Sequence, residues 1–156
     1  MSTGAKVGIG CAVAILFVTI LVCGGAITWY FVSWGMYQDF GNEFEQQGYT
    51  LTEDTAIDLR RELTGPHAFV AKAVHIRADI QGDVAIAARA GKIEGTIDGD
   101  LDFYGLALHI GPNAHITGDV RVRSAQAVRV EGTVDGSITG EWTVLEDMRQ
   151  QPKEQP

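Results

Sequence analysis

The hydrophobic pattern divides the chain into three unlike stretches. No charged side chain occurs from Val7 to Gln38, and Val7 to Val32 is dominated by Ile, Val, Leu, Ala, Phe and Gly. About 20 apolar residues suffice to cross a bilayer as a helix, so the pattern predicts one transmembrane helix over 7–34. Residues 35–65 are polar and acidic, with Phe40, Phe44 and Tyr49 as the main apolar side chains, and read as a linker. Within it Thr50 and Glu53 have capping-box spacing, and Ile57, Leu59 and Leu63 line one side of a short helix predicted over 51–63. Over 66–145 apolar residues alternate with polar ones, as in Val84/Ile86, Leu101/Phe103, Val120/Val122 and Val128/Val130, the period of strands with one buried face. Residues 146–156 hold mainly Gln, Pro, Lys and Glu and are expected to be disordered.

The alternating stretch repeats itself. IEGTIDGDL from Ile93 returns as VEGTVDGSI from Val130, identical at five of nine positions and 37 residues later, and IQGDV from Ile80 returns as ITGDV from Ile116. Gly82, Gly99, Gly118 and Gly136 hold equivalent places at separations of 17, 19 and 18 residues. Self-similarity at a fixed period is the mark of a solenoid, here with a turn of about 18 residues. Three short strands per turn, apolar side inward, predict a short three-sided parallel β-helix of about four coils. Gly82, Gly95, Gly99, Gly118, Gly132 and Gly136 are assigned to its corners, where positive backbone φ favours a residue without Cβ.

Such a rod has two open sheet edges, and an unpaired row of N–H and C=O groups is a template for another chain. Phe69, Val70 and Val74 in the first coil, with Ile138, Trp142 and Val144 in the last, are the candidate end-to-end contacts. Trp29, Tyr30, Trp34 and Tyr37 gather at the end of the apolar segment, as interfacial aromatic anchors do. Lys6 precedes that segment while Asp39, Glu43 and Glu45 follow it. By the positive-inside rule the expected arrangement is a single-pass cell-membrane protein, its amino terminus cytoplasmic and its β-domain outside. A net charge of -8 argues against a nucleic-acid partner. Cys11 and Cys23 both fall in the apolar stretch and form no disulfide or metal pattern.

Candidate chemistry is sparse. Asp98, Asp100 and Asp102 alternate along one strand and could offer oxygens to Ca²⁺, but solvated outward carboxylates are the favoured reading. Arg121, Arg123 and Arg129 form a basic strip. His75 and His109 hold equivalent repeat positions and are expected to point outward as a structural ladder; with His67 and His115 they are also the available bases for a left-handed hexapeptide-repeat acyltransferase, an alternative suggested by the spacing of six through Ile110, Ile116, Val122, Val128 and Val134. No catalytic, cofactor or metal site is assigned.

The segments AGKIEGTIDGDL, IGPNAHITGDV and VRVEGTVDGSI resemble the bactofilins, bacterial polymer-forming proteins, over Val74 to Ile138. The resemblance implies a right-handed β-helix that assembles end to end without a nucleotide and scaffolds envelope or cell-wall proteins. The expected partners are therefore other copies of the chain, the lipid bilayer and envelope proteins, with no enzymatic activity; a non-polymerising β-helix binding module is the alternative.

Overall fold

A computed structural model describes residues 35–147. The chain separates into two compact units, Met1–Met36 and Tyr37–Pro156. Only Gly35 and Met36 of the first are described, so the architecture here is that of the second. A helix, α1, covers residues 35–46. The first turn of strand structure is β1 (Thr50–Glu53), β2 (Ala56–Leu59) and β3 (Leu63–Thr64). Four turns follow, each a long strand and a short one: β4 (His67–Ile76) and β5 (Ile80–Gln81), β6 (Val84–Ile93) and β7 (Thr96–Ile97), β8 (Leu101–Ile110) and β9 (His115–Ile116), β10 (Val120–Val130) and β11 (Thr133–Val134). Strand β12 (Ile138–Asp147) begins a sixth.

All pairing is parallel and between successive turns, in two sheets. One runs β1 and β2, β4, β6, β8, β10, β12; the other runs β3, β5, β7, β9, β11. Thr50, His67, Val84, Leu101, Val120 and Ile138 stand above one another, so the chain advances one turn every 17 to 19 residues. The fold is a β-solenoid of about six turns in two sheets. It replaces the expected three-sided helix of about four coils.

Two physical features account for that difference. First, the long strand rounds a corner without breaking its ladder. Phe69 and Ala71 point into the core, Lys72 and Ala73 are both exposed, and Val74 and Ile76 point inward again. The parity of the strand therefore shifts while its register continues through Ala71↔Ala88 and Ala73↔Ala90. Alternation reveals which way side chains face but not where hydrogen bonding stops, so two faces were counted where one sheet exists. Second, 50–64 holds three short strands, and the short helix predicted over 51–63 does not form. Ile57, Leu59 and Leu63 pack against the core as inward positions of the first turn.

The core is a column of stacked apolar side chains, with Phe69, Phe103, Ile76, Ile93 and Ile110 from the long strands and Ile80, Ile97 and Ile116 from the short ones. Each such burial is worth about 1.5–3 kcal/mol. A second cluster lies outside the solenoid, where Phe40 and Phe44 of α1 cover Ala68, Val70, Ala85 and Ala87. That half of the long sheet is apolar on both faces because it is covered on both faces.

The transmembrane helix expected over 7–34 lies outside the described residues. Among the described residues no helix is long and apolar enough to cross a membrane. The membrane localisation and its sidedness are accordingly corrected: they rested on that span, and α1 packs on the solenoid through Phe40 and Phe44.

Candidate functional site

Three of the six candidate end contacts lie on an open edge, and three lie within the stack. Phe69, Val70 and Val74 belong to β4, which is paired on both sides, by β1 and β2 and by β6. Phe69 and Val74 fill the core and Val70 lies under α1. The N-terminal edge is instead the first turn, which presents Glu53, Asp54, Asp58, Arg60, Arg61 and Glu62. At the other end Ile138, Trp142 and Val144 all lie on β12, the last strand of the long sheet. Ile138 and Trp142 pack partly on the core, while Val144 is 49 % and Leu145 38 % exposed. The two ends thus differ in chemistry: the first turn carries charges of both signs, whereas β12 groups Trp142, Val144 and Leu145 between Glu141 and Glu146.

Of the corner glycines, Gly95 and Gly132 sit at one corner and Gly82, Gly99, Gly118 and Gly136 make a column at another, and the cause is mostly close approach. A Cβ on Gly99 would stand 2.6 Å from the Asp83 carboxylate and 2.7 Å from the Gly82 carbonyl. Gly118 and Gly136 meet the carbonyls of Gly99 and Gly118 in the same way, Gly95 would strike the Ala78 carbonyl, and Gly132 those of Gly111 and Ala114. Of the six, only Gly82 has positive φ, at 150°. Beside this column runs a ladder of aspartates. The Asp83 carboxylate accepts the Asp100 N–H at 2.8 Å, Asp100 accepts the Asp119 N–H at 2.8 Å, and Asp119 accepts the Ser137 N–H at 2.8 Å and its hydroxyl at 3.1 Å. The Ser137 donors hold the Asp119 carboxyl below the usual range.

A family model described as bactofilin, polymer-forming cytoskeletal, matches residues 72–147, from within β4 to the last residue of β12. The chain belongs to the bactofilin family. No curated protein and no solved structure matches it. The bactofilin assignment makes this a structural, polymer-forming class of protein, and a family of scaffolds in place of a family of enzymes.

The polar side chains on this bactofilin solenoid bridge its turns. His75 Nε2 lies 2.6 Å from Glu94, which also takes Lys92 at 2.6 Å. Lys92, and after it His75, lowers the Glu94 carboxyl to about 2. His109 and Arg129 meet Glu131 at 3.0 and 2.7 Å, and His115 meets Asp135 at 2.8 Å. His75 and His109 stand in one outward column with Lys92 between them. His67 has its Nδ1 2.8 Å from the Gly65 carbonyl oxygen. The aspartates considered for Ca²⁺ are engaged separately: Asp98 accepts the Thr117 hydroxyl at 3.0 Å, Asp100 pairs with Arg121, and Asp102 is buried, with Arg121 at 3.9 Å. Burial pushes the Asp102 carboxyl up. Among the described residues no group of three or more His, Cys, Asp or Glu is placed to hold a metal ion.

The helix contact escaped the sequence reading. Trp29, Tyr30 and Trp34 lie outside the described residues, whereas Tyr37 packs at 5.5 Å on Tyr104 of β8. Arg123 lies over the rings of Phe40 and Phe44, at 5.0 and 5.1 Å, and donates to both oxygens of Glu43. Gly41 brings α1 close, since a Cβ there would stand 2.7 Å from Val70 Cγ2. The available signal was in AFVAKAV and VAIAARA, where both faces of a strand are apolar. No described residue outside the long sheet packs over its other half. That half holds a groove of about 420 Å³ with Ala56, Ala73, Ala90 and Ala107 along it and His75, Lys92 and His109 at one side.

Proposed function

We propose that this bactofilin is a nucleotide-independent scaffold that assembles end to end through the open edges of its solenoid and presents its flanks to cell-envelope proteins. The observation that carries the reading is β12: a ten-residue edge strand in a parallel sheet, with Trp142, Val144 and Leu145 grouped on it. Soluble proteins usually blunt such an edge with charge, proline or a covering element; β12 has no proline, no described element covers it, and its carboxylates, Glu141, Glu146 and Asp147, leave Trp142 to Leu145 uncharged.

Charge favours one way of joining. If a second copy continued the stack in its own register, Ile138 would sit over Thr50 and Glu146 over Asp58, since these occupy the same columns. Like charges directly opposite across strands are destabilising. Joining β12 to β12 about a two-fold axis keeps Asp58 away from Glu146 and places the apolar group of one copy against that of the other, and the pairs so formed extend into a filament through a second two-fold contact between their first-turn edges. Electron microscopy and sedimentation of the full chain test this. Filaments are expected for the natural sequence, and Val144→Lys should dissolve them while the circular dichroism spectrum stays unchanged. Filaments that persist in Val144→Lys would remove β12 from the contact.

A further inference from the structure

The long sheet has two outer halves of similar make. Over the first half, alanines at 68, 85 and 87 form a low floor, and the acidic helix α1 lies on it with Phe40 and Phe44 inserted and Glu43 held by Arg123. Over the second half the floor is again alanine, with Ala56, Ala73, Ala90, Ala107 and Ala127 stacked in one column, all of them exposed. Alanine is a poor strand former, and outward strand positions ordinarily carry β-branched, aromatic or polar residues. Five in succession keep the surface flat and let another backbone come close.

One rim of this second groove is cationic. Lys72 and Arg89 occupy successive turns at the corner between the halves, exposed, and neither is ion-paired among the described residues. On the opposite side Lys92 stands between His75 and His109, paired with Glu94, and Asp58 is in the same column, so that margin has no net positive charge to offer. We propose that the groove receives an acidic amphipathic helix of another protein, its apolar stripe on the alanine column and its carboxylates toward Lys72 and Arg89. Helix-in-groove recognition needs an apolar trough with complementary charge at its margins, and this molecule displays the fit once already. A second copy is poorly suited as the occupant. The helix it could offer among the described residues is α1, which is engaged on its own sheet, and the solenoid flank presents a broad charged surface. The groove runs along the stack, so contacts at β12 leave it open.

The test is fluorescence anisotropy of the full chain with a labelled synthetic helix of about 18 residues, long enough to hold helical structure, carrying Leu and Phe on one stripe and Glu elsewhere. Binding is expected, weakened by salt, and at least about tenfold weaker when Lys replaces the Glu residues. Ala90→Glu, and separately Lys72→Glu with Arg89→Glu, should each weaken it by about tenfold or more, whereas Gln81→Glu on the other sheet should leave it unchanged. Equal binding of both peptides, or binding untouched by Ala90→Glu, would overturn the proposal. So would tighter binding of a peptide comprising residues 35–46, which would make the occupant a second copy.

Discussion

Arg123 and Glu43 are 80 residues apart in the chain, yet the guanidinium donates to both carboxylate oxygens, at 2.7 and 3.0 Å. The same guanidinium covers the rings of Phe40 and Phe44, so a single side chain from β10 fastens α1 to the solenoid. Both partners are partly exposed, which limits the ion pair to under about 1 kcal/mol, and the ring contacts add about 0.5–1 kcal/mol. The buried phenylalanines therefore outweigh the latch.

Phe40→Ala is accordingly expected to undock α1, at a cost of about 3 kcal/mol or more. Arg123→Ala should loosen it by only about 1 kcal/mol. Hydrogen exchange across residues 37–46 checks this: protection should vanish in the first variant and fall modestly in the second. Equal effects would show that packing is not what holds the helix.

Gly99→Ala is expected to destabilise the solenoid by about 1–3 kcal/mol, because the added carbon meets main-chain atoms of the turn below that cannot give way cheaply. The control is Gly48→Ala, where nothing lies within 4 Å and the cost comes from its φ of 93° alone, about 1–2 kcal/mol. Urea midpoints of the two variants measure the comparison, and only Gly99→Ala should disturb its neighbours Gly82 and Asp83 in a structure.

Acid should act on two carboxylates with opposite signs. Glu94 is held at about 2 against an ordinary 4.5. Its stabilising contribution is complete above pH 4.5 and is lost as pH falls from there toward 2. Asp102 is shifted upward by burial from 3.8. Its charged form burdens the fold at neutral pH, and the burden lifts as pH falls below that shifted value. Glu94→Gln should thus flatten the acid limb of stability against pH. Asp102→Asn should raise stability at pH 7, with the gain gone below about pH 3.8. Denaturation midpoints across pH 2.5 to 7.5 decide it, and a destabilised Asp102→Asn at pH 7 would mean that Arg121 outweighs burial.

The stacked parallel turns and the family were both legible in the sequence, because IEGTIDGDL and VEGTVDGSI mark the same corner two windings apart. The first turn was not legible. Thr50 to Thr64 lacks the glycine motif, and Ile57, Leu59 and Leu63 are as compatible with a short helix as with strands when no partner strand is in view. That omission moved the N-terminal edge by one turn and turned Phe69 and Val74, which are core residues, into candidates for an end. The cover over Ala68 and Ala85 was hidden for another reason. Strand alternation assigns one face to the interior, and it says nothing about an outer face made apolar for a distant helix. The clue to Tyr37 was likewise ambiguous, since an aromatic ring next to an apolar run fits a lipid interface as well as it fits Tyr104.

The direction of the hydrogen bonds in the two sheets has a mechanical consequence. They run along the rod, so its length is set by bonds between turns and no covalent backbone spans it directly. A pull applied evenly to both ends loads every rung of a cross-section at once, and the section resists as a group. A pull on one margin of β12 breaks its bonds to β10 singly, as a zip opens, so a rod of this kind withstands traction through its centre and gives way by peeling from its last strand.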